Sequence, residues 1–185
     1  NAFLAGYFGA GDTVDAYYAA FRIPDIMFNI LVLGALSAGF IPVFTKYLHK
    51  NSPEAWKLAN DILNILVIFL SVIAVILFFA APILIPLIVP GFSGDKLDLT
   101  IQLSRIMFLQ PIFLGISAVF GGILQSFKRF FAYSLAPVFY NLGIIVGIWL
   151  LVPLMGLSGL AWGVVLGAFL HWIVQLPAGI ISGFR

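Results

Sequence analysis

The chain has 185 residues, 63% of them apolar and only 9% charged, with a formal net charge of +2. A water-soluble domain carries ~45–50% apolar and ~25% charged residues, so a soluble fold is excluded. The Lys and Arg residues are scattered, with Lys128 and Arg129 the one adjacent pair, which excludes a nucleic-acid patch; the lack of Cys excludes disulfide and thiol chemistry.

Crossing ~30 Å of hydrocarbon takes ~20 helical residues. Residues 1–9 are too short for this and read as the tail of a helix. The chain opens on Asn1 instead of Met, with no charged leader, so it reads as a fragment begun partway through a membrane span. Gly9, Gly11, Asp12 and Thr13 mark a turn with N-cap residues. Helices are then predicted at about 14–47, 53–87, 97–127, 132–152 and 157–182, with Pro53 in a first turn and a Pro/Gly loop at 89–94. The predicted class is an all-α polytopic transmembrane bundle over 1–185, in the plasma (inner) membrane. Pro24, Pro42, Pro82 and Pro86 fall inside predicted helices, where kinks are expected and neighbours must satisfy the freed carbonyls.

The connections differ in charge. Lys46, His49, Lys50 and Lys57 lie around one, Lys128 and Arg129 in another, and Arg185 ends the last helix. The alternate connections hold Asp12 and Asp15, then Asp95, Lys96 and Asp98, then the uncharged turn 153–158. The positive-inside rule places the three basic sites in the cytoplasm.

An ionisable group within a bilayer costs at least ~2.5–3.5 kcal/mol, so each needs a reason. Asp15, Arg22 and Asn29 are spaced seven apart, with Asp25 three beyond Arg22. These four fall within an arc of about 80°, forming a stripe about 21 Å long, with Ser37 at its edge. Such a stripe suits a water-filled cavity; the alternative is an interfacial Asp15, a snorkelling Arg22 and a self-neutralising Arg22–Asp25 pair. Asp98, Gln102 and Arg105 share a face in the fourth helix, as a second cavity element or a frayed helix start. Asp61 and Asn64 read as interfacial. His171 and Gln175, one turn apart, suit an interhelical hydrogen bond or a relay. Gly143 and Gly147, and then Gly159, Gly163 and Gly167, form GxxxG ridges, usable within the bundle or between copies.

No paired carboxylates, HExxH, Ser/His/Asp order or phosphate loop occurs, so no enzyme is expected. His49 and His171 have no carboxylate at ligand spacing, and neither metal nor cofactor is expected.

The stretch 8–24, FGAGDTVDAYYAAFRIP, and its continuation 34–44, GALSAGFIPVF, closely resemble the second helix of the MurJ/MviN family of lipid II flippases. That helix typically reads FGAG…TDAFFVAFRIPN…GAFSxAFVP. Ala81-Pro82, Pro90-Gly91-Phe92, GGILQ at 121–125 through Arg129-Phe130, Ala136-Pro137-Val138 with Asn141-Leu142, LAWG at 160–163 and QLP at 175–177 extend the resemblance over essentially the whole chain. The resemblance implies a member of the multidrug/oligosaccharidyl-lipid/polysaccharide exporter superfamily. Its fold would be two facing six-helix lobes, of which this chain is most of the first. The remaining lobe of the same polypeptide and membrane lipid are the implied partners, with no nucleic acid. The implied activity is alternating-access transfer of undecaprenyl-diphosphate-linked disaccharide-pentapeptide from the cytoplasmic to the periplasmic leaflet. Arg22 matches the basic residue of FRIP, and Asp15 the family's functional aspartate. With Asp25, Asn29, Ser37 and Arg105 they make the candidate cavity set. The chain departs at Phe28-Asn29, where the family often has two Arg, at Leu33, where it often has Glu, and at Gly6, a frequent Arg. Alternatives are another exporter of the superfamily, carrying a lipid-linked oligosaccharide or a drug, and a non-transporting membrane scaffold.

Overall fold

In the computed structural model, residues 11–33 and 39–184 are described, and every regular element among them is helical. Gly11 is extended (φ −168°), and α1, Asp12–Ala20, starts after it with Asp12 and Asp15 in its first turn, where the helix dipole favours anions. The helix is interrupted at Phe21, one turn before Pro24, whose missing N–H leaves the Ala20 carbonyl without a helical donor. Next come α2, Arg22–Met27, and a π-helical turn, Phe28–Leu33. Pro42 sits in the first turn of α3, Ile41–Lys50.

Helix α4, Ser52–Ile88, runs 37 residues, about 55 Å, without a break at Pro82 or Pro86. Then follow α5, Gly94–Met107, and α6, Gln110–Ser126, divided at Phe108 and Leu109. The last elements are α7, Phe130–Val146, a π turn at Gly147–Leu151, α8, Val152–Met155, α9, Ser158–Ile173, and α10, Leu176–Ile181. Among the described residues, four stretches are long and apolar enough to cross a membrane: Ser52–Ile88, Gly94–Ser126, Phe130–Met155 and Ser158–Ile181.

Helix α6 is the centre of the bundle and buries most of its length, from Gln110 to Leu124. One apolar cluster joins α2, α3, α4 and α6 through Met27, Phe44, Ala59, Leu70 and Ile123. A second joins α1 and α5 to the last helices through Tyr17, Leu103, Met107, Ile148, Leu160 and Val164. The outer face of α4 is an uninterrupted apolar strip (Ile65, Ile68, Val72, Ile76, Phe79, Ile83), which suits acyl chains.

Helices α7 and α9 meet along their glycines. A Cβ on Gly163 would stand 2.6 Å from the Gly147 Cα, and one on Gly143 would collide with the Gly167 backbone. The two ridges expected from sequence therefore pack within one chain.

An aromatic knot closes one end. Trp56 stacks on Phe127 (5.9 Å, 11°) and meets Phe44 and Phe184 edge-on, and Phe184 leans on Phe120 (4.8 Å). It ties α3, α4, the end of α6 and the chain beyond α10.

Beside it, the C-terminus of α6 is a Schellman turn: Arg129 N–H donates to Leu124 O (2.8 Å), Lys128 N–H to Gln125 O (3.0 Å). Lys128 holds the left-handed position with φ +57°. A side chain there is strained, so Lys128→Gly is expected to stabilise the fold by about 0.5–1 kcal/mol net of the glycine's chain entropy, read as a rise in melting temperature of the purified protein.

His171 and Gln175 meet Ser117 of α6. Ser117 Oγ and His171 Nδ1 are 2.6 Å apart, and Gln175, fully buried, donates through Nε2 to Ser117 Oγ (2.5 Å) and to the His171 carbonyl (3.0 Å). This interhelical bond is one of the two readings left open by sequence. Ser117→Ala removes the shared hydroxyl and leaves buried Gln175 and half-buried His171 each one bond short; a loss of about 1–2 kcal/mol is expected in thermal unfolding, whereas Ser134→Ala, on the exposed side of α7, should change nothing.

Candidate functional site

The hydrophilic seam is built on α1 and α2. Their inner face is buried and almost wholly apolar, through Ala16, Ala19, Ala20, Ile23, Pro24 and Met27. Asp15, Arg22, Asp25 and Asn29 all lie on the opposite, exposed face, together with Tyr18, Ile26 and Ile30. The bundle covers one side of this helix and leaves the polar side uncovered. Ser37 lies outside the described residues.

Each seam residue is held differently. Asp15 pairs with Lys96 at the start of α5 (2.7 Å), and Lys96 also binds Asp12 (2.8 Å) while lying 4.3 Å from the Phe92 ring centroid. One ammonium thus joins the start of the second span to the start of the fourth. Arg22 Nη1 donates to the carbonyl of Ile88 at 3.2 Å. That carbonyl is in the last turn of α4 and has no donor from its own helix. Asn29 Nδ2 donates to the Asp25 main-chain oxygen at 2.8 Å, at the passage from α to π geometry. The Asp25 carboxylate has no ion pair among the described residues.

Arg105 is placed elsewhere. Its Nε donates to Phe78 O at 3.1 Å, and its guanidinium lies 5.1 Å from the Phe78 ring centroid. Phe78 O is the carbonyl that Pro82 deprives of its helical N–H, so the arginine completes the ladder of α4.

The arrangement is a row of exchangeable polar groups on an uncovered face, backed by rigid apolar packing. A family model described as lipid II flippase MurJ matches residues 4–185. The chain belongs to the MurJ family. A probable lipid II flippase MurJ from Rhizobium tropici is 32% identical over 98% of the chain, and the lipid II flippase MurJ of Burkholderia cenocepacia is 30% identical over 94%. A solved structure, described as lipid II flippase MurJ in an inward closed conformation, superposes with a TM-score of 0.77 over 96% of the chain at 25% identity. The chain spans 37% of the length of that structure and of the Rhizobium relative. As a MurJ-family chain with four long apolar helices, it is a multi-pass membrane protein and an all-α bundle.

Sequence spacing did not find Lys96 as the partner of Asp15 in this MurJ-family bundle. The signal was present: Asp12 and Asp15 fall, like Asp95, Lys96 and Asp98, in connections outside the basic set, and Lys96 is the one cation in those connections.

Proposed function

We propose that this chain is part of a lipid II flippase and supplies one wall of the path by which an undecaprenyl-diphosphate-linked glycan passes from the cytoplasmic to the periplasmic leaflet. The observation that carries the reading is the uncovered polar face of α1 and α2, set against an apolar buried face on the same helix. A helix turned wholly to lipid would not hold Asp15, Arg22, Asp25 and Asn29 in one line.

A diphosphate passing through a low-dielectric space needs fixed cations, and a guanidinium matches phosphate geometry with two parallel donors. Arg22 is that group. Among the described residues it makes a single hydrogen bond, to a helix-end carbonyl, which leaves its other donors for the path. Asp15, Asp25 and Asn29 would meet the sugar and peptide hydroxyls and amides. The facing wall would come from a second lobe of the same polypeptide, and rocking of the lobes would expose the seam to each leaflet in turn. By the positive-inside rule the ends near Lys50 and Lys128 are cytoplasmic, and the Lys96 cluster is periplasmic.

The test is rescue of a flippase-depleted bacterial strain by the full-length gene. Growth with normal cell shape supports the reading. Lysis despite a normal level of membrane-inserted protein overturns it and favours the scaffold alternative.

A further inference from the structure

Helices α4, α5 and α6 leave a groove of about 280 Å³ between them, walled by Ala74, Val75, Phe79, Phe108 and Ile112, with Arg105 its one charged lining residue. No residue of 11–33 lines it, so it is separate from the polar seam. Arg105 is fixed by the Pro82-freed carbonyl of Phe78 and by the Phe78 ring. Only its Nε is engaged; the Nη groups hold no hydrogen bond or ion pair among the described residues, and no carboxylate lines the groove. A half-buried guanidinium with free donors in an apolar wall calls for an anion.

Its depth says which anion. The helical stretch Gly94–Ser126 has 33 residues, about 50 Å, against ~30 Å of hydrocarbon, so about 10 Å extends beyond each boundary if it is centred. Arg105 is eleven residues past Gly94, about 16 Å along, which puts it about 6 Å inside the boundary. An arginine reaches the phosphate layer from there. Acyl chains fill any apolar groove in a bilayer, so the lipid that stays is chosen by its headgroup charge.

We propose that this groove is a binding site for one anionic glycerophospholipid of the surrounding bilayer, with its phosphate on the Arg105 Nη groups and an acyl chain along Val75 and Phe79. The site stands independently of the flippase reading.

The test is native mass spectrometry of the full-length protein, titrated with palmitoyl-oleoyl phosphatidylglycerol or with phosphatidylcholine bearing the same chains. The wild type should retain one phosphatidylglycerol that Arg105→Gln binds at least about tenfold more weakly, while phosphatidylcholine, whose own choline offsets the same phosphate, is held more weakly by the wild type and changes less. Val75→Trp, which fills the groove and keeps the charge, should lose the same lipid, and Arg105→Lys should keep it in part; these two carry the test if Arg105→Gln fails to fold. Equal phosphatidylglycerol retention by wild type, Arg105→Gln and Val75→Trp overturns the site. Displacement of that lipid by equimolar undecaprenyl diphosphate overturns it in favour of a subsite for the transported lipid.

Discussion

Arg22→Ala is expected to abolish rescue of a flippase-depleted strain and to lower lipid II transfer in reconstituted vesicles by about 10- to 100-fold, the value of a charge-assisted phosphate contact worth ~1.5–3 kcal/mol. Arg22→Lys keeps the charge but not the paired donors, so an intermediate rate is expected. The side chain is exposed and, among the described residues, makes one hydrogen bond, to Ile88 O. A merely structural arginine would therefore show its loss as a lower melting temperature with normal transfer per folded molecule. Full rescue by Arg22→Ala would remove the seam from the transport path. Asp15→Ala should do less, because Lys96 keeps its bond to Asp12.

Gly163→Leu is expected to damage the bundle severely. A Cβ at Gly163 would lie 2.6 Å from the Gly147 Cα, and what it meets is backbone, which cannot rotate aside as a side chain can. The α7–α9 pair would have to part by about 1 Å for alanine and further for leucine. Losses of about 1–3 kcal/mol for Gly163→Ala and more than 3 kcal/mol for Gly163→Leu are expected in thermal or detergent unfolding. Gly91→Ala is the control, since its new Cβ meets nothing within 4 Å, and it should change stability by less than about 0.5 kcal/mol. Equal stability of Gly163→Leu and wild type would mean that the ridge is not a helix contact in the membrane.

Much of the fold was legible because long apolar runs leave only one way to satisfy the backbone in lipid, and the runs in 53–87 and 132–152 stay helical despite their internal prolines, Pro82, Pro86 and Pro137. The second span was harder. Letters that read as one helix over 14–47 give a break at Phe21 and a π turn at Phe28–Leu33, because α and π turns use the same apolar residues. The common face of Asp15, Arg22 and Asn29 could be read, since seven residues are close to two turns. Their partners could not: the Lys96–Asp15 bond joins residues 81 apart, and spacing along one helix carries no information about the next. Arg105 was grouped with Asp98 and Gln102 by the same spacing, and its anchor is a main-chain oxygen across the groove. The rule that could have found it counts four back from Pro82 to Phe78 and looks for a donor at that depth. The glycine pattern predicted close packing but left the partner helix open, and only coordinates assign Gly143 and Gly147 to Gly159, Gly163 and Gly167.

The bare seam between α7 and α9 also governs how this part of the molecule deforms. Two backbones interlocked at every fourth residue behave like a keyed shaft: they cannot creep past each other by fractions of a turn, and the next matching register is about 6 Å away. The ladder that carries the polar seam is built otherwise: it is interrupted at Phe21 and passes to π geometry beyond Met27, and a helix with such breaks bends at them and not along its whole length.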